Sequence, residues 1–513
     1  MRTLLFLFCF FLFCDGSILA QTKSNYPLKE WLGEGEFIIA GKVLNKPTDM
    51  KSWQLAVTGY LSNEGFEIPV KEDGSFEKAI PVTDVQDIYL YLGNDAITIF
   101  SFPGDKIQVS FDGHRQIETL EIKGTTEARN KELDLCLRIY RNFRKDFLKN
   151  SGLAYDRQKS PKEKSDQLNE YYDKKINLIR TFETEKGTFP FLRKFQDGAY
   201  FEVARIAAGI DGILPEIHCD YPRMSLTSIT TNGNTTDTIK NSVPNYQLLD
   251  YRTFRTVPEY RDFLENYLRN QSKKTFSWSI GYPEQDDSNY INRYTSLSER
   301  YIFGKESLEP VPPIRDWYLS SMIHSALTYQ PLKDVDSLYH DFLNICESKE
   351  YLSILTPKYQ QALLLAPGQP APDFELKNVD GKMVRLSDFR GKIVYMDFWG
   401  RGCGPCIYEF QNSKEEFQQK YGTGDIVFIY VCVDSKEPQW RQAVEQYQLK
   451  GVNLIAEGWT KHPACKAYNV EGIPHYVLID KEGKIVNNKC DRPSSMLYQG
   501  ENSELEKLLS QYK

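Results

Sequence analysis

Residues 394–410 read V-Y-M-D-F-W-G-R-G-C-G-P-C-I-Y-E-F, in which an apolar strand leads directly into a C-x-x-C pair. The residues that follow predict a helix over 403–421, and its apolar face carries Ile407, Phe410, Phe417 and Tyr421. Unpaired backbone N–H groups and the positive end of the helix dipole lie in the first turn, so a cysteine there ionises more easily. Because the thiolate is the attacking species, the sequence predicts Cys403 as a redox nucleophile.

The second cysteine of the pair, Cys406, lies about one helical turn after Cys403. Its sulfur is therefore placed to attack a mixed disulfide on Cys403 and to release the reduced substrate. Pro405 stiffens this corner without the loss of a needed N–H. A static disulfide and half of a zinc site are the alternatives, and the nearby candidates for further zinc ligands are His462 and Cys465. We predict a redox disulfide, with no metal and no cofactor.

The region around this pair alternates strands and helices. A boundary is predicted at residues 366–372, A-P-G-Q-P-A-P, because three prolines and a glycine cannot continue a helix. Strands are expected at 392–399, 425–434, 452–456, 475–480 and 484–488, and helices at 403–421, at 438–449 and from 503 onward. This alternation predicts an α/β domain with a central, partly parallel sheet over residues 366–513.

The motifs of this region resemble those of the thioredoxin superfamily, in particular its envelope-facing TlpA/ResA branch. They are A-P-D-F-E-L at 371–376, the D-G turn at 380–381, L-S-D-F-R-G-K at 386–392, C-G-P-C at 403–406 and G-I-P-H-Y at 472–476. The resemblance implies a thioredoxin-like fold and thiol:disulfide exchange. It also implies that Pro474 is cis beside the redox pair, that the backbone of Ile473 binds substrate, and that Asp397 moves a proton from the buried cysteine.

One position departs from that family, which usually carries Trp immediately before the first cysteine, where this chain has Gly402. The change is expected to open the surface around Cys403 and to alter partner docking. Trp399 is expected to pack beside the site. The substrate-binding residues are predicted to be Ile473, Trp399, Gly402 and Pro405. Two further side chains each allow two interpretations. Arg401 either lowers the pKa of the thiol or is solvated. His475 either lines the substrate groove or lies on the surface.

The start of the chain is typical of a secreted protein. Arg2 precedes ten apolar residues at 4–13, and small and polar residues follow as far as Ala20. Such a run is too short to span a membrane, so residues 1–20 are predicted to be a cleaved signal peptide, with a lipid anchor at Cys14 as the alternative. With the resemblance, this predicts the periplasm or cell envelope of a Gram-negative bacterium.

Eight cysteines then remain, too few for a disulfide scaffold in a chain of this length. Cys432 and Cys465 are expected to be buried and inert, because their neighbours are apolar. Cys490 is expected to be exposed in its polar segment. A bond between Cys465 and Cys490 is the alternative.

The first 365 residues predict two further domains, as the total of 513 residues allows. Residues 21–124 show seven or eight short alternating strands, typical of a small antiparallel sandwich. Residues 125–365 show longer helical periods, interrupted by a polar loop at 225–244. No nucleophile, phosphate loop or metal cluster is evident there, so we expect residues 21–365 to position the redox domain or to bind its client.

These patterns predict an envelope thiol:disulfide oxidoreductase that reduces or isomerises disulfides of exported proteins and is recharged by a membrane electron carrier. A net charge of -7 disfavours nucleic acid as a partner. The alternative of another class is a non-catalytic binding or assembly protein that uses the domain as a docking platform. A peroxiredoxin is less consistent with the sequence, because Met396 and Gly400 occupy the Pro and Thr/Ser positions of its P-x-x-x-T/S-x-x-C signature.

Overall fold

The computed structural model describes residues 32–208, 249, 251–278, 296–422 and 424–512, apart from residues 62, 94 and 157. The predicted signal peptide, the predicted loop at 225–244 and Cys219 lie outside the described residues. Two compact units divide the chain, Met1–Tyr290 and Ile291–Lys513. The middle domain predicted over 125–365 spans this division, so its helices belong to both units and its boundaries stay a prediction.

The first unit begins with strands that form two four-stranded sheets, in the orders β4-β1-β7-β8 and β3-β2-β5-β6. The strands are Glu34–Leu44 (β1), Ser52–Thr58 (β2), Asn63–Pro69 (β3), Ser75–Thr83 (β4), Gln86–Leu92 (β5), Asp95–Ser101 (β6), Lys106–Asp112 (β7) and Glu121–Gly124 (β8). The expectation of purely antiparallel pairing is wrong at one place, because β1 pairs with β7 in parallel. The two sheets share one core, in which the Trp53 ring lies 5.3 Å from Phe76 and 5.5 Å from Phe111.

Helices follow the sheets in this unit. They are Glu127–Ser151 (α1), Pro161–Lys186 (α2), Leu192–Ala208 (α3), Tyr251–Thr256 (α4) and Pro258–Trp278 (α5). Helix α1 begins where the Thr126 side chain accepts the Arg129 N–H, a standard N-cap. Buried ion pairs join helices to strands, with Arg129 at 2.8 Å from Asp105 and Lys194 at 3.2 Å from Asp87.

The second unit begins with a helical segment and continues into the predicted α/β domain. The helices of this segment are Leu297–Ser307 (α6), Pro312–Tyr329 (α7), Asp336–Ile345 (α8) and Lys349–Leu363 (α9). No helix in the described part of the chain is long and apolar enough to cross a membrane.

The α/β domain is built on a seven-stranded sheet in the order β10-β9-β13-β12-β11-β14-β15. Its strands are Glu375–Asn378 (β9), Met383–Arg385 (β10), Ile393–Trp399 (β11), Ile426–Cys432 (β12), Val452–Ile455 (β13), His475–Ile479 (β14) and Ile485–Asn487 (β15). Strands β11, β12 and β13 pair in parallel, whereas β14 is antiparallel to β11. The sheet is therefore partly parallel, as the sequence predicts.

The helices of this domain depart from the prediction at one point. They are Gly404–Asn412 (α10), Lys414–Tyr421 (α11), Glu437–Gln446 (α12), Pro463–Ala467 (α13), Pro493–Gln499 (α14) and Glu504–Ser510 (α15). The single helix expected over 403–421 is wrong, because the backbone of Ser413 leaves helical values. Immediately after this break, the Lys414 ammonium donates to the carbonyls of Tyr447 and Gln448, a tertiary contact that apolar periodicity cannot show.

Strand β11 is buried along its whole length and separates two cores. Successive side chains of a strand point to opposite faces of the sheet. Tyr395 and Trp399 belong to the core that also contains Cys406, while Met396 and Phe398 belong to the other. The alternation therefore places Asp397 on the face that α10 covers.

Candidate redox site

Cys403 and Cys406 are joined as a disulfide at the start of α10, with their Cα atoms 5.3 Å apart. Cys403 is the N-cap residue, and its sulfur accepts the N–H of Cys406 at 3.1 Å. Cys403 is 9% exposed, whereas Cys406 is 0% exposed. An external thiol or disulfide can thus reach Cys403 first, while Cys406 is restricted to attack from within.

The loop before β14 lies against the strand end that precedes the disulfide. The peptide bond between Ile473 and Pro474 is cis, the isomer that the family resemblance implies. A Cβ added to the buried Gly400 would lie 2.6 Å from Cδ1 of Ile473 and 2.5 Å from a carboxylate oxygen of Asp434. A side chain at position 400 would therefore have to displace the side chain of Ile473 or Asp434.

Asp434, which the sequence analysis missed, holds the backbone immediately before Cys403. Its two carboxylate oxygens accept the N–H groups of Arg401 and Gly402, each at 2.8 Å. Desolvation acts to raise the pKa of this carboxyl, but the hydrogen bonds from Gly402, Ser435 and Arg401 outweigh it and leave the pKa below its usual value. Its position after β12, at the same sheet edge as the end of β11, is the signal that could have identified it.

Gly402 makes its contact to Asp434 through the backbone alone. A Cβ at this position would lie 3.5 Å from the Asp434 carboxylate, which is ordinary van der Waals contact. The local fold therefore leaves room for a side chain where the family usually carries Trp.

Replacing Asp434 with asparagine is expected to destabilise the protein by about 0.5–1 kcal/mol at neutral pH, a modest value because the residue is exposed. The folded pKa is lowered, so the stabilisation is present above the unfolded pKa of about 4 and is lost as the pH falls through the folded value. Urea unfolding between pH 3 and pH 7 measures this difference. Asp380→Asn, at an exposed turn residue, is the matched control, and a pH-independent difference would contradict the role of the carboxylate.

Two carboxyl groups are buried near the disulfide, one on β11 and one on α10 itself. Asp397 is 2% exposed, and its Oδ1 has no hydrogen-bond partner within the described part of the chain. Burial, and to a lesser degree the negative charge of Glu409, raise the pKa of Asp397 well above its usual value. A carboxyl group with a raised pKa is suited to exchange a proton closer to neutral pH.

Glu409 is the second buried carboxyl group, and the sequence analysis did not single it out. It is 1% exposed, accepts the N–H and hydroxyl of Ser494 at 3.0 Å and 2.7 Å, and lies 3.7 Å from Arg492. Its position three residues after Cys406, as the one charged residue of α10, was the available signal.

The structure also shows where the other residues predicted near the disulfide lie. Trp399 is fully buried and packs edge-to-face on Phe410, with ring centroids 5.1 Å apart. Arg401 is exposed, and Pro405 lies in the exposed first turn of α10. Ile473 contacts the core beside the disulfide. The position of Trp399 agrees with the prediction that it packs beside the site. The predicted substrate contacts stay proposals.

His475 is neither on the surface nor on the disulfide side of the sheet, so both predictions for it are wrong. It is 8% exposed and pairs across the sheet with Phe398, whose ring is 5.8 Å away. Burial, helped by the charge of Lys489, lowers the pKa of His475 to about 3. Residue alternation in β14 puts this side chain in the opposite core.

The remaining cysteines of this domain are free thiols. Cys432 and Cys465 are buried, as predicted. The expectation that Cys490 is exposed is wrong: it is 7% exposed, its N–H donates to the Tyr476 carbonyl, and burial raises its pKa well above the usual value. The polar sequence around it is misleading because, after β15 ends, the backbone bond to Tyr476 holds Cys490 against the core on the disulfide side of the sheet. Cys465 and Cys490 do not form the alternative disulfide.

His462, proposed above as a zinc ligand, instead begins α13. Its Nδ1 accepts the Ala464 N–H at 3.2 Å. Among the described residues there is no group of three or more His, Cys, Asp or Glu side chains that could hold a metal ion.

Comparisons with known proteins match this domain. Residues 366–509 match the Redoxin family model. The chain is 34% identical over 119 residues to thiol-disulfide oxidoreductase ResA of Bacillus thuringiensis subsp. konkukian, which covers 23% of this chain and 66% of that protein. It is 32% identical over 135 residues to ResA of Geobacillus kaustophilus, which covers 26% of this chain and 74% of that protein.

Solved structures are also similar to part of the chain. The thioredoxin domain of a thiol-disulfide oxidoreductase from Bacteroides vulgatus is 28% identical and matches over 29% of this chain and 98% of that chain, with a TM-score of 0.25. The chain spans about two thirds of the length of the first curated relatives it matches, 66% in each of the first six.

Proposed function

Because the chain belongs, through its C-terminal domain, to the ResA-like thiol-disulfide oxidoreductases of the thioredoxin superfamily, we propose that it exchanges disulfides with protein clients at Cys403 and Cys406. The observation that carries this proposal is the disulfide at the start of α10, in which Cys403 keeps 9% of its surface exposed and Cys406 keeps none. This difference in exposure makes Cys403 the residue that meets the client and Cys406 the one that resolves the mixed disulfide.

In the reducing direction, the Cys403 thiolate attacks one sulfur of a client disulfide. An S–S bond forms between Cys403 and the client, the client S–S bond breaks, and the released client thiolate takes up a proton. The Cys406 thiol then gives its proton to Asp397, and its sulfur attacks Cys403. The mixed disulfide breaks, the second client thiol leaves reduced, and Cys403 and Cys406 end oxidised by two electrons.

Asp434 and Glu409 act as positioning residues in this scheme. The Asp434 carboxylate orders the two residues before Cys403 through their N–H groups. Glu409, held by Ser494, places a second negative charge near Asp397 and so makes Asp397 a stronger base. Neither group needs to touch the client.

The protein is further proposed to be exported to the cell envelope, to act on exported proteins and to be re-reduced by a membrane electron carrier. The signal-like residues 1–20, the C-G-P-C motif and the TlpA/ResA resemblance support this. The all-β first domain and the mainly helical middle region are proposed to serve placement of the redox domain or client binding. The two four-stranded sheets and the helices α1–α9 support these proposed roles for the two regions.

The reduction potential of the Cys403–Cys406 pair tests the proposed function. The full-length protein is equilibrated in glutathione buffers, and its thiols are alkylated and counted by mass spectrometry. A potential near about -270 mV, the value of thioredoxin, is expected for a reductant. A potential above roughly -150 mV would contradict the reducing direction, and a pair that never cycles would contradict the enzyme.

A further inference from the structure

Helix α7 ends against the loop that leads to Pro474. Its last residue, Tyr329, has 64% of its surface exposed. A Cβ added to Gly472 would lie 3.0 Å from Cε1 and 3.3 Å from the hydroxyl oxygen of Tyr329. One edge of the ring therefore lies on the Gly472 backbone, two residues before Pro474, while much of the ring faces solvent.

Polar contacts on both sides of the ring hold this helix end in place. Glu471 accepts the Thr328 hydroxyl at 3.1 Å and the Lys358 ammonium at 2.5 Å and 2.6 Å. Lys489 donates to the Leu327 carbonyl at 2.6 Å and also to the Thr328 carbonyl. Carbonyl groups in the last turn of a helix have no partner within the helix, so these bonds attach the end of α7 to the redox domain.

The loop on which this ring lies also contacts the strand end that precedes the disulfide. Gly472 leads to Ile473, whose side chain lies against Gly400, and Gly400 begins the short loop to Cys403. Lys358 and Glu471 neutralise each other beside the ring. Tyr329 and Ile473 therefore present aromatic and aliphatic surface to a client, rather than net charge.

We propose that Tyr329 is a specificity-determining residue that contacts an aliphatic or aromatic side chain next to the reacting cysteine of a protein client. The inference rests on the proposed function. Gly402 provides no ring at the position before Cys403, and Tyr329 supplies one beside the loop to Pro474. Contact between a tyrosine ring and an apolar side chain is expected to favour such clients about five- to tenfold.

Two disulfide-linked peptides that are identical except for Leu or Asp next to each cysteine serve as probes. The full-length protein is reduced, freed of reductant and mixed with each peptide, and the second-order rate constant of a single turnover is measured. Wild type is expected to reduce the Leu peptide about five- to tenfold faster than the Asp peptide. Tyr329→Ala is expected to remove most of that ratio, and Tyr329→Phe to keep it.

Tyr512→Ala is the matched control. The Tyr512 hydroxyl bonds to Glu482 in the turn after β14, at the opposite end of the strand from Pro474. Tyr329→Lys adds a test that loss of folding cannot mimic, because it is expected to favour the Asp peptide over the Leu peptide.

Different outcomes would contradict the inference and the proposed function. A wild-type protein that reduces neither peptide would contradict the proposed function. Equal wild-type rates for the two peptides, or a Leu preference that survives in both Tyr329→Ala and Tyr329→Lys, would overturn the inference alone. A preference lost equally in Tyr512→Ala would also overturn it.

Discussion

Replacing Cys403 with serine is expected to lower disulfide reduction by about a thousandfold or more, because a serine hydroxyl is not ionised at neutral pH and cannot attack sulfur. Replacing Cys406 with serine is expected to stop the reaction halfway. Cys403 still attacks the client, but no second thiolate resolves the product. Mixed disulfides between Cys403 and its clients should therefore accumulate in Cys406→Ser and be absent from wild type.

Non-reducing gels and mass spectrometry of cell-envelope extracts measure these adducts. Cys346→Ser is the matched control, since this half-buried thiol lies just after α8 and its sulfur donates to the Ser348 carbonyl. The Cys403→Ser/Cys406→Ser double variant should trap nothing. A Cys406→Ser variant that traps no client would favour the docking platform over the enzyme.

Replacing Asp397 with asparagine is expected to slow the resolving step by about a hundredfold near neutral pH, within the usual range for a lost general base. The defect should shrink as the pH rises, because hydroxide then removes the Cys406 proton without help from Asp397. Stopped-flow measurement of mixed-disulfide decay between pH 6 and pH 10 checks this. A defect that is equally large at every pH would show that Asp397 has only a structural role.

The same variant is expected to make the folded protein more stable. The pKa of Asp397 is raised on folding, so its stability contribution is intact below the unfolded pKa of about 4 and is lost as the pH rises through the folded value. Asparagine has no charge to desolvate, so the gain should grow with pH, reaching about 1–3 kcal/mol once the wild-type carboxyl would be ionised. Asp434→Asn is expected to lower, rather than raise, the free energy of unfolding in the same assay.

Short-range patterns in the sequence predicted much of the fold of this domain. The apolar run before Cys403 predicts β11, and the order of strands and helices after residue 366 predicts the partly parallel sheet. Alternation along β11 explains why Asp397 and Trp399 face the disulfide helix, since neighbouring strand residues face opposite ways. The same rule, applied to β14, would have placed His475 in the other core.

Other features depended on residues that meet only after the chain has folded. Glu409 is satisfied by Ser494, 85 positions away, and the Arg401 N–H meets Asp434 across 33 positions. Cys490 stands in a polar segment, yet a backbone bond to Tyr476 and packing in the core bury it. In each case sheet register and packing, rather than local composition, decide whether a polar group finds its partner.

The sequence by itself therefore determined the redox pair, the strand and helix that hold it, and the thioredoxin-like fold, because each depends on spacing within a few turns of chain. Only the tertiary structure decided that Cys403 is more exposed than Cys406, that Glu409 lies near Asp397, and that Tyr329 stands beside the loop to Pro474. Thr328 and Glu471 are 143 positions apart, and no periodic pattern links them. Their contact exists because α7 packs where the sheet places that loop, and packing of this kind is a property of the whole folded unit.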